Sequence, residues 1–132
     1  MQRLSFSFLI FYFIPVLLWG VGIFYLSSIP ALGVREGPSV WFFLERKGAH
    51  VFEYFLLTIL VLRLAYFYVR RDIVSLVLFS CFFVLLYAMS DEFHQTFVLG
   101  REGAVRDVLI DSVGIVLGVC VFLFLVRRKR IG

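Results

Sequence analysis

Two histidines, His50 and His94, stand among carboxylates in a chain otherwise rich in hydrocarbon. Lys47, Glu53 and Tyr54 surround the first, while Ser90, Asp91, Glu92 and Gln95 surround the second. A third group follows with Arg101, Arg106, Asp107 and Asp111. The spacing is helical. His50 and Glu53 are three apart, and Ser90/His94, Asp91/Gln95 and Asp107/Asp111 are each four apart, so every pair can share one helix face. An imidazole oriented by a carboxylate can act as a general base or nucleophile, which makes His50, His94, Asp91 and Glu92 the catalytic candidates if the chain is an enzyme. Lys47, Glu53, Ser90, Gln95, Arg101, Arg106, Asp107 and Asp111 are the candidates for holding a ligand. Arg101 and Arg106 suit an anionic headgroup because a guanidinium offers paired donors, and Ser90, beside a histidine, is a possible nucleophile.

Metal chemistry is the lesser reading. The two histidines with Glu53, Glu92, Asp107 and Asp111 supply donors that suit a divalent ion, but the chain has no H-E-x-x-H, cysteine pair or glycine-rich phosphate loop. No cofactor is therefore expected. Cys81 and Cys120 each sit inside an apolar run and read as core filler.

The elements that must position these groups are membrane helices. Hydrophobic residues make up 62% of the 132, against roughly 45–50% in a soluble domain, and so small a globule cannot bury that excess. A soluble fold is excluded. At about 20 residues per span the length allows four crossings, and one transmembrane domain over 1–132 is expected. The first span covers Ser5 to Ile29, with Pro15, Gly20 and Gly22 as points where it can kink. The second runs from Gly48 to about Tyr68, the third from Ile73 to Ser90, and the fourth from about Arg106 to Val126. Trp41, Phe42 and Phe43 read as an interfacial belt ahead of the second span, set off from the first by a Gly37-Pro38 break.

Charge sets the orientation. The net charge is +4 from 13 Lys and Arg against 9 Asp and Glu. With the amino terminus inside, Arg3, Arg63, Arg70, Arg71, Arg127, Arg128, Lys129 and Arg130 lie on the cytoplasmic side. Arg35, Arg46, Lys47, Arg101 and Arg106 then lie on the other. The expectation is an all-α, polytopic bundle of about four transmembrane helices in the inner (cytoplasmic) membrane, both termini cytoplasmic. Its ionisable groups would gather at the outer face. No basic stripe lies outside the spans to grip phosphate along a strand, so a nucleic-acid partner is not expected. Gly114 and Gly118 form a G-x-x-x-G on the stripe that carries Asp107 and Asp111, which allows another helix to approach closely. The carboxylates would then face protein, since a charge at mid-bilayer costs ~2.5–3.5 kcal/mol on insertion scales.

Two blocks of this sequence resemble the VanZ-like membrane proteins. The first is Lys47-Gly-Ala-His50-Val-Phe-Glu53-Tyr54. The second is Ser90-Asp91-Glu92-Phe-His94-Gln95 leading to Gly100-Arg101, then Arg106-Asp107-Val-Leu-Ile-Asp111-Ser-Val-Gly114. The chain departs from the family's usual pattern at Arg46, where Asp is common, at Asp111, where Asn is common, and at Glu53, which is often apolar. The resemblance implies a small multi-span bacterial membrane protein whose founding relative is associated with low-level teicoplanin resistance. Together with the outer cluster, it implies partners among membrane lipids or amphiphilic cell-envelope ligands. Three functions compete: binding or moving such a ligand, catalysis on a lipid-linked or headgroup phosphate, and a scaffold that the polar ring locks. Composition and spacing leave the ligand, the oligomeric state and the choice among these open.

Overall fold

The computed structural model describes residues 6–31, 40–68, 72–101 and 103–131, with side chains at all of these except 40–45 and 129–131. The four spans expected from hydropathy are four helices: α1 (Phe6–Ser27), α2 (Val40–Tyr68), α3 (Ile73–Gln95) and α4 (Val105–Ile131). All four are long and apolar enough to cross a membrane. Large apolar side chains such as Phe11, Leu18, Phe79, Phe93, Leu109 and Phe124 point outward, as a lipid-facing surface requires.

The helices are longer than the uncharged runs. Helix α2 begins at Val40, so Lys47 is helical rather than a flank, and α3 continues past Ser90 to Gln95, carrying Asp91, Glu92 and His94 with it. A helix satisfies its own backbone, so it continues through polar residues wherever their side chains find protein partners. Trp41, Phe42 and Phe43 fall within helical backbone with side chains outside the described set, and the Gly37-Pro38 break lies outside the described residues.

The irregularity expected in the first span is a π-helical turn over Leu9–Phe13. Pro15, which follows it at the start of the regular stretch Ile14–Ser27, has no N–H to give to the carbonyl of Phe11. The backbone widens there instead.

The most extensive pairing is α2 with α4. Residue pairs ascend together along both helices, from Lys47 with Asp107, through His50 with Asp111, to Thr58 with Gly118, so the two run parallel. A Cβ on Gly114 would collide with the Val51 carbonyl and the Phe55 amide, and one on Gly118 would lie 2.9 Å from the Phe55 carbonyl. The G-x-x-x-G stripe is therefore a seat for the backbone of α2. Ile23, Tyr54, Leu57, Val61, Val84, Ala88 and Ile115 form the central core, and Leu62, Leu76, Phe122 and Val126 form a second cluster toward the other end. Cys81 packs against the central core, whereas Cys120 is exposed on the outer side of α4, which corrects its reading as filler.

Helix α1 also runs parallel to its main polar partner, α3. Tyr87 donates to the Gly20 carbonyl at 2.6 Å, Ser27 to Asp91 Oδ2 at 2.8 Å, and Ser28 Oγ lies 3.0 Å from His94 Nε2. The ends of α1 and α3 thus meet the beginnings of α2 and α4 on one side of the bundle.

Candidate functional site

That side holds a buried polar network. On α4, Asp107 and Asp111 occupy successive turns of the face that Gly114 and Gly118 seat on α2, which turns both carboxylates inward. Lys47 Nζ reaches Asp107 Oδ1 at 2.5 Å, and one turn deeper His50 Nδ1 lies 3.2 Å from Asp111 Oδ1. Asp111 has no solvent exposure, and His50 only 7%. Asp107 also sits in the first turn of α4, where the helix dipole favours an anion.

Helix α3 contributes the second wall. Asp91 and Gln95 share a face as their spacing requires, and the Gln95 amide donates to Asp91 Oδ2 at 3.0 Å and to Glu92 Oε1 at 3.3 Å. The other Glu92 oxygen accepts the Ala104 N–H at 3.0 Å, which ties the α3–α4 connection back onto α3. Close approach of that connection requires Gly103, because a Cβ there would strike the Glu92 carbonyl.

Arg101 closes the top. Gly100 takes φ +76°, a conformation open to glycine, and turns the chain so that Arg101 points at the end of α1. Its Nε donates to the Ile29 carbonyl at 2.9 Å, Nη2 to the Leu26 carbonyl at 2.8 Å and Nη1 to Gln95 Oε1 at 3.3 Å. Two of these are carbonyls from the C-terminal end of α1, where a cation is favoured.

Beside this guanidinium lies a cavity of about 450 Å³ between the end of α1 and the beginning of α2. Arg46, His50, Glu53 and Arg101 supply its charged and polar lining, and Leu26, Ile29, Pro30 and Ala31 are among its apolar lining. Burial lowers the proton affinity of the Arg101 guanidinium, and the nearby positive charge of Arg46 lowers it further. The carboxylates of Asp91, Glu53 and Glu92 act on Arg101 in the opposite direction, so the cleft offers the paired donors of two guanidiniums beside acceptor groups.

The VanZ/LLP1 family model matches residues 6–127 of this chain. The chain belongs to the VanZ/LLP1 family. No curated protein and no solved structure gives a significant match. Residues from both blocks that carried the resemblance build the buried polar contacts of this VanZ/LLP1 protein.

Not every candidate joins that network. Lys47 bonds Asp107, His50 bonds Asp111, and Gln95 bonds Asp91, Glu92 and Arg101, while Glu53 shares the cavity lining with His50. The two histidines part company. His94 stacks on Phe24 with ring centroids 4.1 Å apart and meets Ser28, on the α1 side of α3. Ser90 is exposed and donates to the Tyr87 carbonyl at 2.8 Å. The Arg106 side chain is 75% exposed and only grazes Asp107 at 3.9 Å.

Sequence reasoning passed over Arg46, Ser27, Ser28 and Trp19. Arg46 lines the cavity, Ser27 donates to Asp91 Oδ2, and the Trp19 indole N–H donates to the Glu53 carbonyl at 2.9 Å. The available signal for Arg46 was its spacing of four from His50, the rule that singled out the other pairs. The serines gave no signal, since their partners are brought to them only by the packing of α1 on α3.

Proposed function

We propose that this VanZ/LLP1 protein binds the anionic headgroup of an amphiphilic membrane or cell-envelope molecule in the cavity between α1 and α2. One observation carries the reading: Arg46 and Arg101 line the same half-buried cleft, alongside apolar residues that end α1. The guanidiniums hold the headgroup through charge-assisted hydrogen bonds, and the apolar lining takes the adjoining part of the tail. Glu53 and His50 at the same wall select headgroups that also offer a donor. Under the charge distribution of the flanks, the cleft opens on the outer face of the inner membrane and both termini are cytoplasmic. Lipids and lipid-linked or lipoglycopeptide cell-envelope compounds are the ligand class, and nucleic acid is not a partner.

Native mass spectrometry of protein extracted in mild detergent tests this. The native chain retains an anionic amphiphile, Arg46→Gln loses most of it, and Arg106→Gln, altered at an exposed site, keeps it. Equal retention by native protein and Arg46→Gln, or an amphiphile-free native chain, refutes the proposal.

A second reading rests on a separate observation. His50 lines the same cavity while its Nδ1 is held by Asp111, the arrangement that fixes an imidazole for proton transfer. On this reading the chain is a membrane-embedded enzyme acting on a lipid-linked or headgroup phosphate. Turnover of labelled polyprenyl phosphate or phospholipid, abolished in His50→Ala that remains folded, supports it, and no turnover across such a panel removes it.

A further inference from the structure

Beneath the cavity the charges do not balance. Among the described residues at this end of the bundle, Lys47 answers Asp107 and Arg106 lies out in solvent, which leaves, away from the surface, Glu53, Asp91, Glu92 and Asp111 against Arg46 and Arg101. With a neutral His50 the remainder is two negative charges in a buried setting, where unpaired charge is costly. The buried Asp91 Oδ1, Asp111 Oδ2 and Tyr54 Oη have no hydrogen-bond partner, and Asp111 and Tyr54 are fully buried. Native interiors rarely leave such atoms unmet, and an ion is one of the few things that meets them.

The geometry supplies a place for it. One donor atom each from His50, Glu92 and Asp111 lies within 4.8 Å of the others, and all three residues are buried. They come from α2, α3 and α4, so closing the bundle is what assembles them. Their orientations are already restrained by hydrogen bonds. Glu92 is fixed by the Ala104 amide and Gln95, and His50 and Asp111 fix each other through Nδ1 and Oδ1, leaving Oδ2 unpartnered. The contacts of Gln95 and Ala104 on Glu92 are the kind of outer support that ligands of a bound metal ordinarily have.

We infer that His50, Glu92 and Asp111 hold one divalent transition-metal ion. The donor set names the class: one imidazole nitrogen with two carboxylates suits zinc or manganese, whereas magnesium and calcium favour oxygen ligands alone. The ion supplies the two positive charges that the buried carboxylates lack and gives Asp111 Oδ2 a partner. This inference shares His50 with the cleft, but neither arginine that carries the headgroup reading is among its three ligands.

Elemental analysis of the full chain, purified in mild detergent without chelator, is the test. It is followed by stripping with EDTA and titration with zinc, manganese, magnesium or calcium chloride while the melting temperature is read. The native chain is expected to hold close to one zinc or manganese per molecule, or to regain it with a raised melting temperature that magnesium and calcium do not reproduce. Glu92→Gln and Asp111→Asn should each lower occupancy at least tenfold. Should either variant fail to fold, manganese electron paramagnetic resonance on the stripped native chain decides, since a bound ion loses the six-line spectrum of the aquo ion. A native chain that neither carries nor rebinds zinc or manganese, or variants that keep full occupancy, would overturn the site. Lipid retention is read separately: an ion-free chain that keeps its amphiphile refutes the metal site alone, and a metal-loaded chain without amphiphile refutes the headgroup reading alone.

Discussion

His50 on α2 and Asp111 on α4 face each other at 3.2 Å, Nδ1 to Oδ1, at a depth where Asp111 has lost all contact with solvent. One helical turn nearer the end, Lys47 and Asp107 repeat the pairing. The two rungs fix the rotation of α4 against α2, and Gly114 and Gly118 continue the same contact into the apolar core. The polar site and the tightest helix packing are therefore parts of one interface.

Breaking the outer rung should cost more than losing an ordinary surface ion pair. The pair is about nine-tenths buried, with side-chain exposures of 14% and 10%, so Lys47→Met strands Asp107 and should destabilise by about 3 kcal/mol. Replacing both, as Lys47→Met with Asp107→Leu, should recover most of the loss. Thermal unfolding in detergent measures both, and a double variant no more stable than the single one would contradict this account.

The glycines of α4 and α1 should behave oppositely. Gly114→Ala forces a Cβ onto the backbone of α2, which cannot step aside as a side chain could, and should destabilise by about 1–3 kcal/mol. Gly22→Ala meets no atom within 4 Å and should leave the melting temperature unchanged or raised. Equal sensitivity at the two positions would show that Gly114 does not seat α2.

Arg101→Lys should loosen the end of α1 while the rest of the bundle holds. An ammonium cannot span the Leu26 and Ile29 carbonyls and Gln95 together as the guanidinium does, and each such charge-assisted bond contributes about 1.5–3 kcal/mol. Hydrogen exchange should rise in residues 24–31 and stay unchanged along α4. Uniform exchange in the two proteins would refute the clamp.

Asp72 gives the first turn of α3 an acid-sensitive cap. Hydrogen bonding from Ser75, including its N–H at 3.0 Å, holds the carboxyl below the usual carboxylate range. A folded pKa below the unfolded one means that the contribution is complete above about pH 4, the unfolded value, and fades as pH falls through the folded value. Asp72→Ser keeps a capping oxygen without a titrating group. Melting temperatures compared between pH 6 and pH 2.5 should show the native chain losing ground to this variant only below about pH 4.

His94→Ala should weaken the seat of α1 and leave the site beneath it intact. The ring stacks on Phe24 and meets Ser28, apart from His50 and Asp111. Amphiphile retention near the native level with faster exchange along the α1 end is the expected result, and loss of ligand without loosening of α1 would place His94 in the site instead.

Hydropathy alone marked the four spans, because the cost of carrying a polar backbone and charged side chains through lipid leaves its mark on every stretch of sequence. Spacing alone put His50 with Glu53, Ser90 with His94, Asp91 with Gln95 and Asp107 with Asp111 on shared helix faces, because helical periodicity is local. Both depend only on neighbours along the chain, and so the gathering of ionisable groups at one end could be read before any fold was known. Which charges meet is decided elsewhere. It depends on how far each helix is rotated and slid against the others, and here the backbone contact at Gly114 and Gly118 sets that register. The register pairs His50 with Asp111, sends His94 to Phe24 and Ser28, turns Arg106 outward, and brings the overlooked Arg46 to the cleft beside Arg101. A residue's type and spacing say what it can do, but its partner comes from another helix, and only the packed bundle supplies it.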